Sequence, residues 1–250
     1  MGCDIHLFVE VRKDGKWEAI KDIDKIALWQ AQENLEYFKR YGEDEMPGYT
    51  EMEFIERIEQ ESKPKYMFLY NGRNYNLFSM LADVRNGYTS NGNTYMIKPI
   101  DEPRGVPSDA SDAYKEYVDE WGADGHSYSY FTLTELDTPY WLGTERFGGY
   151  VMPESFKAYM EQRSFGYLIS SVPPVVDEDR DTVISNEEME AYVTSDKFDP
   201  FCRNLLTFVE WDMPRFKLES YFYNEVLGYL RKLGEKHGKD NVRIVFFFDN

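Results

Sequence analysis

Apolar and polar residues alternate from the third position of the chain. Cys3, Ile5, Leu7, Val9 and Val11 fall on one side of an extended backbone, and Asp4, His6, Phe8 and Glu10 on the other. A period of two predicts a β-strand with one face toward a core. Asp14-Gly15 then reads as a tight turn, and Lys16-Trp17-Glu18-Ala19-Ile20 as the returning strand of a hairpin. The pattern changes to a helical period over residues 25 to 41 and again over 50 to 62, where Thr50 and Glu53 stand at capping-box spacing.

Tyr66 to Tyr70 predicts another strand, broken by Asn71-Gly72, and Leu77, Phe78, Leu81 and Val84 predict a helix that Gly87 would end. The Asn, Gly and Pro content between Gly87 and Pro107 marks an irregular loop. Ser108 is expected to cap a helix burying Ala110, Tyr114, Tyr117 and Trp121. Asp124 to Ser129 then forms a loop feeding the segment Tyr130 to Leu136. Pro214 opens an amphipathic helix with Leu218, Phe222, Val226, Tyr229, Leu230 and Leu233 on one stripe and Gly238 as its stop. The final run Val242-Arg243-Ile244-Val245-Phe246-Phe247-Phe248 is apolar except at Arg243, the pattern of a central strand buried on both faces. This order of elements predicts the α+β class: a mixed sheet with the N- and C-terminal strands central and adjacent, and helices packed on it. One domain over residues 1–250 is expected, with 22–64 and 177–200 as acidic insertions.

Hydrophobic residues make up 42% of the 250 positions and aromatic residues 17%, enough for a substantial core. The net charge of -18 is clustered, with -7 over residues 43 to 61, -6 over 101 to 125 and -7 over 177 to 199. Such clustering argues against a grip on duplex nucleic acid, which needs a basic stripe to displace counterions. It leaves two readings, solvated loops and helix faces or a surface that imitates DNA phosphates. No apolar run is long enough to cross a bilayer, and the start Met1-Gly2-Cys3-Asp4 lacks the features of a signal peptide. Cys3 and Cys202 stand far apart, which suggests a reducing compartment, so a cytoplasmic protein without a membrane partner is expected. The oligomeric state stays open.

Asp4 and His6 are two apart on a strand, so their side chains leave the same face roughly 7 Å apart. Asp-x-His on a strand also begins the metal site of several metallophosphoesterases, which points to Mg or Mn as a candidate cofactor. Asp124-Gly125-His126-Ser127-Tyr128-Ser129 repeats the carboxylate and imidazole pairing beside two hydroxyls. If this turn folds over Asp4 and His6, the four residues Asp4, His6, Asp124 and His126 form a catalytic set. Two histidines flanking a phosphate could also cleave a phosphodiester without metal, one as base and one as acid. Structural histidines that order a loop, and simple ligand binding, remain open beside these. Arg73 and Asn74 at a helix start, Arg104 between two prolines, and Ser127 and Ser129 are candidate ligand-binding groups for phosphate. A separate candidate is the calcium-type loop Asp177, Asp179, Asp181, Ser185 and Glu188, weakened by Thr182 at the turn position usually held by Gly and by Pro173-Pro174, which denies the incoming helix; the alternative is an acidic helix-capping loop.

The start Met1-Gly2-Cys3-Asp4-Ile5-His6, the stretch Gly72-Arg73-Asn74-Tyr75-Asn76-Leu77-Phe78, Pro103-Arg104-Gly105, Asp124-Gly125-His126-Ser127 and the ending Val245-Phe246-Phe247-Phe248-Asp249-Asn250 together resemble a family of uncharacterised tailed-phage and bacterial proteins. The resemblance covers about a quarter of the chain in short islands. It implies a phage context, and by analogy a role against host defence, and supplies no catalytic residues. Three function classes follow as expectations: a nucleotide-directed hydrolase of phosphodiesterase type; a non-catalytic protein that binds and sequesters a nucleotide immune signal; and an acidic decoy inhibitor of a host DNA-binding or defence protein.

Overall fold

The two strands expected at the centre of the sheet are its inner pair. In a computed structural model that describes residues 2–23, 25–66, 69–87, 95–161, 176–177 and 179–249, β1 (Ile5–Lys13) runs antiparallel to β9 (Val242–Phe248). The chain belongs to the α+β class. Expected as one domain, it groups into two compact units: Met1–Asn71 with Gly105–Glu135 and Leu230–Asn250, and Gly72–Arg104 with Leu136–Tyr229.

In the first unit the sheet order is β2-β1-β9-β5, with β2 at Lys16–Ala19 and β5 at His126–Thr132. β3 (Lys21–Asp22) and β4 (Lys65–Tyr66) form a short ribbon at the base of a helical hairpin, α1 (Lys25–Tyr41) and α2 (Glu51–Glu61). The capping box of α2 is present as the spacing predicts, with the Thr50 N–H donating to Glu53 at 2.7 Å. The strand expected over Tyr66 to Tyr70 is assigned only at Lys65–Tyr66; Met67 and Phe68 lie outside the described residues.

Register sets what each face of the sheet carries. His6 stands opposite Phe247, Phe8 opposite Val245 and Glu10 opposite Arg243, so these six side chains share a face. The alternation led to the expectation that this face is the polar side of β1. Instead both faces are buried, with Phe8 2% and Glu10 0% exposed, because a helix lies across it. That helix is α4 (Asp112–Trp121); α3 (Tyr75–Ala82) precedes it in the chain and belongs to the second unit. Tyr114, Tyr117, Val118 and Trp121 from α4 pack with Phe8, Val245 and Phe247. A carboxylate is tolerated there since the Arg243 Nε donates to Glu10 at 2.7 Å and the Ser111 N–H donates to its other oxygen at 2.8 Å. The latter bond also explains why α4 begins at Asp112, with Ser111 as its cap, and not at the expected Ser108. The outer edge of β5 is covered in part: Gly105 N–H donates to the Tyr128 carbonyl, and Thr132 N–H to Glu135, both at 2.8 Å.

In the second unit β6 (Thr144–Val151) pairs antiparallel with β8 (Leu205–Pro214), which pairs parallel with β7 (Thr182–Val183). α5 (Pro153–Met160) and α6 (Asn186–Val193) bury Phe156, Met189 and Val193. The stretch expected as an acidic insertion at 177–200 therefore contributes a strand and part of a core. α3 ends at Ala82, short of the expected Val84, because Asp83 takes a left-handed conformation at φ +57. Pro214 is followed by a short helix, Arg215–Leu218, a break at Glu219 and a π-helical turn, Phe222–Val226, ahead of the helix Leu227–His237 that Gly238 stops at φ +88.

Candidate functional site

His6 is the second residue of β1, on the face that α4 covers. Its Nε2 lies 3.2 Å from a carboxylate oxygen of Asp249, just past the end of β9, and its Nδ1 lies 3.0 Å from the Tyr117 hydroxyl on α4. An ionised carboxylate can only accept, so an imidazole with a single proton pairs with Asp249 by carrying that proton on Nε2 and donating it. Nδ1 is then left to accept from the Tyr117 hydroxyl. The result is a directed chain, Tyr117 to His6 to Asp249. Asp249 is itself fixed, taking the Asp4 N–H on its second oxygen at 2.8 Å and donating its own N–H to the Asp4 carbonyl at 3.2 Å.

The ring of His6 is also held by packing. It stacks on Phe247, centroids 4.7 Å apart at 17°, and meets Trp121 at 4.2 Å. Tyr128 approaches the same Phe247 at 5.2 Å. Burial pushes the Tyr128 phenol above its ordinary pKa, and more strongly that of Tyr114, whose hydroxyl finds no hydrogen-bond partner among the described residues. Side-chain exposure is 13% at His6 and 15% at Asp249, so the chain of groups is shielded but not sealed.

The residues singled out by sequence distribute as follows. Asp4 contributes its backbone to this cluster. Asp124 ends an exposed turn, Gly122–Asp124, with no bond to His6. His126 stands opposite Phe248 and stacks on it at 6.1 Å, whereas His6 stands opposite Phe247. Consecutive strand residues point to opposite faces, so the structure does not bring the two imidazoles to a shared pocket. His126 Nδ1 is 3.0 Å from the Ser127 hydroxyl, Ser127 adopts φ +50, and Ser129 is fully buried. Both nitrogens of His6 are occupied by Tyr117 and Asp249, which leaves neither to grip Mg or Mn as the Asp-x-His pattern suggests.

Arg73, Asn74 and Arg104 belong to the second unit. Asn74 caps α3 through Leu77 N–H at 3.1 Å, and its amide donates to the Leu218 carbonyl at 2.9 Å and to Glu219, so its polar atoms serve the fold. Arg104 donates two bonds to Asp101, whose carboxyl it holds below the ordinary range. In the calcium-type loop Asp177 accepts from Arg180 and from Asp179 N–H, and Asp181 accepts from Asp177 N–H. Ser185 and Glu188 form a capping box for α6. Their oxygens satisfy donors within the loop, and Thr182, at the turn position, belongs to β7. Among the described residues no group of His, Cys, Asp and Glu is placed to hold a metal ion, and no helix is long and apolar enough to cross a membrane.

Two members of the cluster escaped the sequence reading. Tyr117 reads there only as an apolar position of an amphipathic helix, and Asp249 only as part of the C-terminal island. No family model, curated protein or solved structure matches this chain.

Proposed function

We propose that the first unit carries a hydrolytic site of phosphodiesterase type, acting on nucleotides, in which Tyr117 is the reacting group, His6 its base and Asp249 the residue that positions His6. The observation that supports this is the directed hydrogen-bond chain from the Tyr117 hydroxyl through the imidazole to Asp249. With both imidazole nitrogens engaged, the chain can reach a substrate only through the phenolic oxygen. In the reaction the Tyr117 proton passes to His6 as the phenolate oxygen bonds to phosphorus and the bond to the leaving oxygen breaks. The leaving oxygen takes a proton from solvent; water then splits the tyrosyl ester, and His6 returns its proton to the phenolic oxygen. Asp249 stabilises the imidazolium formed in between. The resemblance of its short islands to tailed-phage proteins suggests nucleotide signals of host defence as the first substrates to try.

The test is incubation with bis(p-nitrophenyl) phosphate and with cyclic di- and trinucleotides, each with magnesium, manganese or EDTA. Turnover is expected, with a covalent phosphotyrosyl adduct at Tyr117 in acid-quenched samples. Tyr117→Phe removes the nucleophile and should abolish both the adduct and turnover, and His6→Gln, which removes the base, should lower the rate by about 100- to 10,000-fold. Asp249→Asn should lower it as well with the fold intact, since the amide donates to Nε2 and forces the proton onto Nδ1. Unchanged turnover in Tyr117→Phe sinks this mechanism. The shielding of His6 and Asp249 favours a second reading, binding without turnover, in which the same nucleotides are retained intact at one equivalent and are lost on Trp121→Ala.

A further inference from the structure

The α1–α2 hairpin of the first unit carries a surface that the hydrolytic reading does not use. Its own packing is complete without that surface: Ala31 and Leu35 of α1 are buried, and Phe38 meets Phe54 of α2 at 5.1 Å. Yet Trp29, Tyr37 and Tyr41 are 56%, 45% and 48% exposed, with Tyr49 and Met52 at 52% and 61%. Tyr37 and Tyr41 pair with ring centroids 4.7 Å apart, and Trp29 stands two turns, roughly 12 Å, before Tyr37 and about 80° around the helix from it, with Glu33 between them. Three large rings this exposed on one helix are not needed for solubility and mark a contact surface.

Charge says what it contacts. Immediately beyond Tyr41 stand Glu43, Asp44 and Glu45, all exposed, followed by Glu51, Glu56 and Glu59 on α2. None of these six forms an ion pair among the described residues, in contrast to Glu61, which Arg57 and Lys65 hold. Aromatic faces attract guanidinium and ammonium groups, and carboxylates beside them add directional acceptors. Arg40 already shows the seat at its simplest, its guanidinium 6.0 Å from the Tyr41 ring centroid. Nucleic acid and acidic proteins would be repelled by the same surface. We propose that the hairpin docks a Lys- and Arg-rich segment of another protein, its cationic side chains laid across Trp29, Tyr37 and Tyr41 and anchored by the acidic tip.

The experiment uses the full chain and a short fluorescein-labelled peptide of Arg, Lys and Leu, with a second peptide in which Gln replaces Arg and Lys, both followed by anisotropy at low and physiological salt. Three variants are compared: Trp29→Ser/Tyr37→Ser/Tyr41→Ser, which keeps the net charge; Glu43→Gln/Asp44→Asn/Glu45→Gln; and Glu187→Gln/Glu190→Gln, which removes exposed charge from the second unit. All positions are exposed, and circular dichroism confirms that each variant is folded. The basic peptide alone should bind, weaken about tenfold with the aromatic variant and with the tip variant, and be indifferent to the second-unit variant. Equal affinity for the aromatic variant, or equal weakening by the second-unit variant, would show only a polyanion attracting a polycation and overturn the proposal. So would sedimentation showing a dimer of this chain that the aromatic variant dissolves, since the surface would then be covered by a second copy.

Discussion

Replacing Arg243 with Leu tests whether the hidden face of β1 is held as described. Arg243 and Glu10 have side-chain exposures of 4% and 0%, and their bond is 2.7 Å. The guanidinium also donates to Asp109, at 2.9 Å to its carboxylate and 3.2 Å to its carbonyl, and lies 4.0 Å over the Trp17 ring. Without Arg243 the Glu10 carboxylate keeps one partner, the Ser111 N–H, and no access to water. Breaking a buried pair by removing one member costs about 3–5 kcal/mol, most of it the uncompensated charge. Removing both, as Glu10→Leu with Arg243→Leu, leaves no buried charge and only the Ser111 N–H and the Asp109 carbonyl short of a partner, about 1–3 kcal/mol each. The double variant should therefore be no less stable than the single one, although it deletes more polar contacts. Native-state hydrogen exchange of the β1 and β9 amides reads the opening free energy of this unit directly. A single variant within about 1 kcal/mol of the parent, or a double variant clearly worse than the single, would refute the assignment of a charge-compensated face.

Two further outcomes follow from the same unit. Gly125 has an ordinary backbone conformation, φ -80, so its glycine is needed for space: a Cβ there would lie 2.2 Å from the Tyr128 hydroxyl and 3.2 Å from Phe247. Gly125→Ala should cost about 1–3 kcal/mol in thermal unfolding, and Gly125→Ala/Tyr128→Phe should recover part of it; a neutral single variant contradicts the crowding. Burial raises the Asp109 carboxyl, but the Arg243 bond and charge, with the Trp17 indole, more than reverse this and hold it below the ordinary range. A depressed carboxyl contributes stability that is present above the unfolded pKa of about 3.9 and is lost as pH falls through the folded value. The difference in stability between the parent and Asp109→Asn should thus be constant from neutral pH to about pH 5 and shrink below about pH 4; a difference that grows on acidification would be inconsistent with it.

What the sequence made legible, and what it hid, turns on parity along two strands. β1 and β9 could be read locally, because a period of two and an apolar run are signals within one window. The burial of His6, Phe8 and Glu10 could not, because it depends on α4, more than a hundred positions away, and on the charge of Arg243 at the far end of the chain. His6 was marked by its residue type, while its partners Tyr117 and Asp249 are 111 and 243 positions distant, and neither carries a local mark of chemistry. Ser129 stands opposite Phe246 and Tyr130 opposite Val245, and a regular strand continued backward from them would put His126 opposite Asp249, on the face of His6. A bulge between His126 and Ser129, with Ser127 at φ +50, inserts one residue and moves His126 opposite Phe248. Tyr128 and Tyr130 keep their places on the His6 face. One extra residue thus decides whether two imidazoles meet, and such a bulge leaves no trace in the spacing of histidines along the chain.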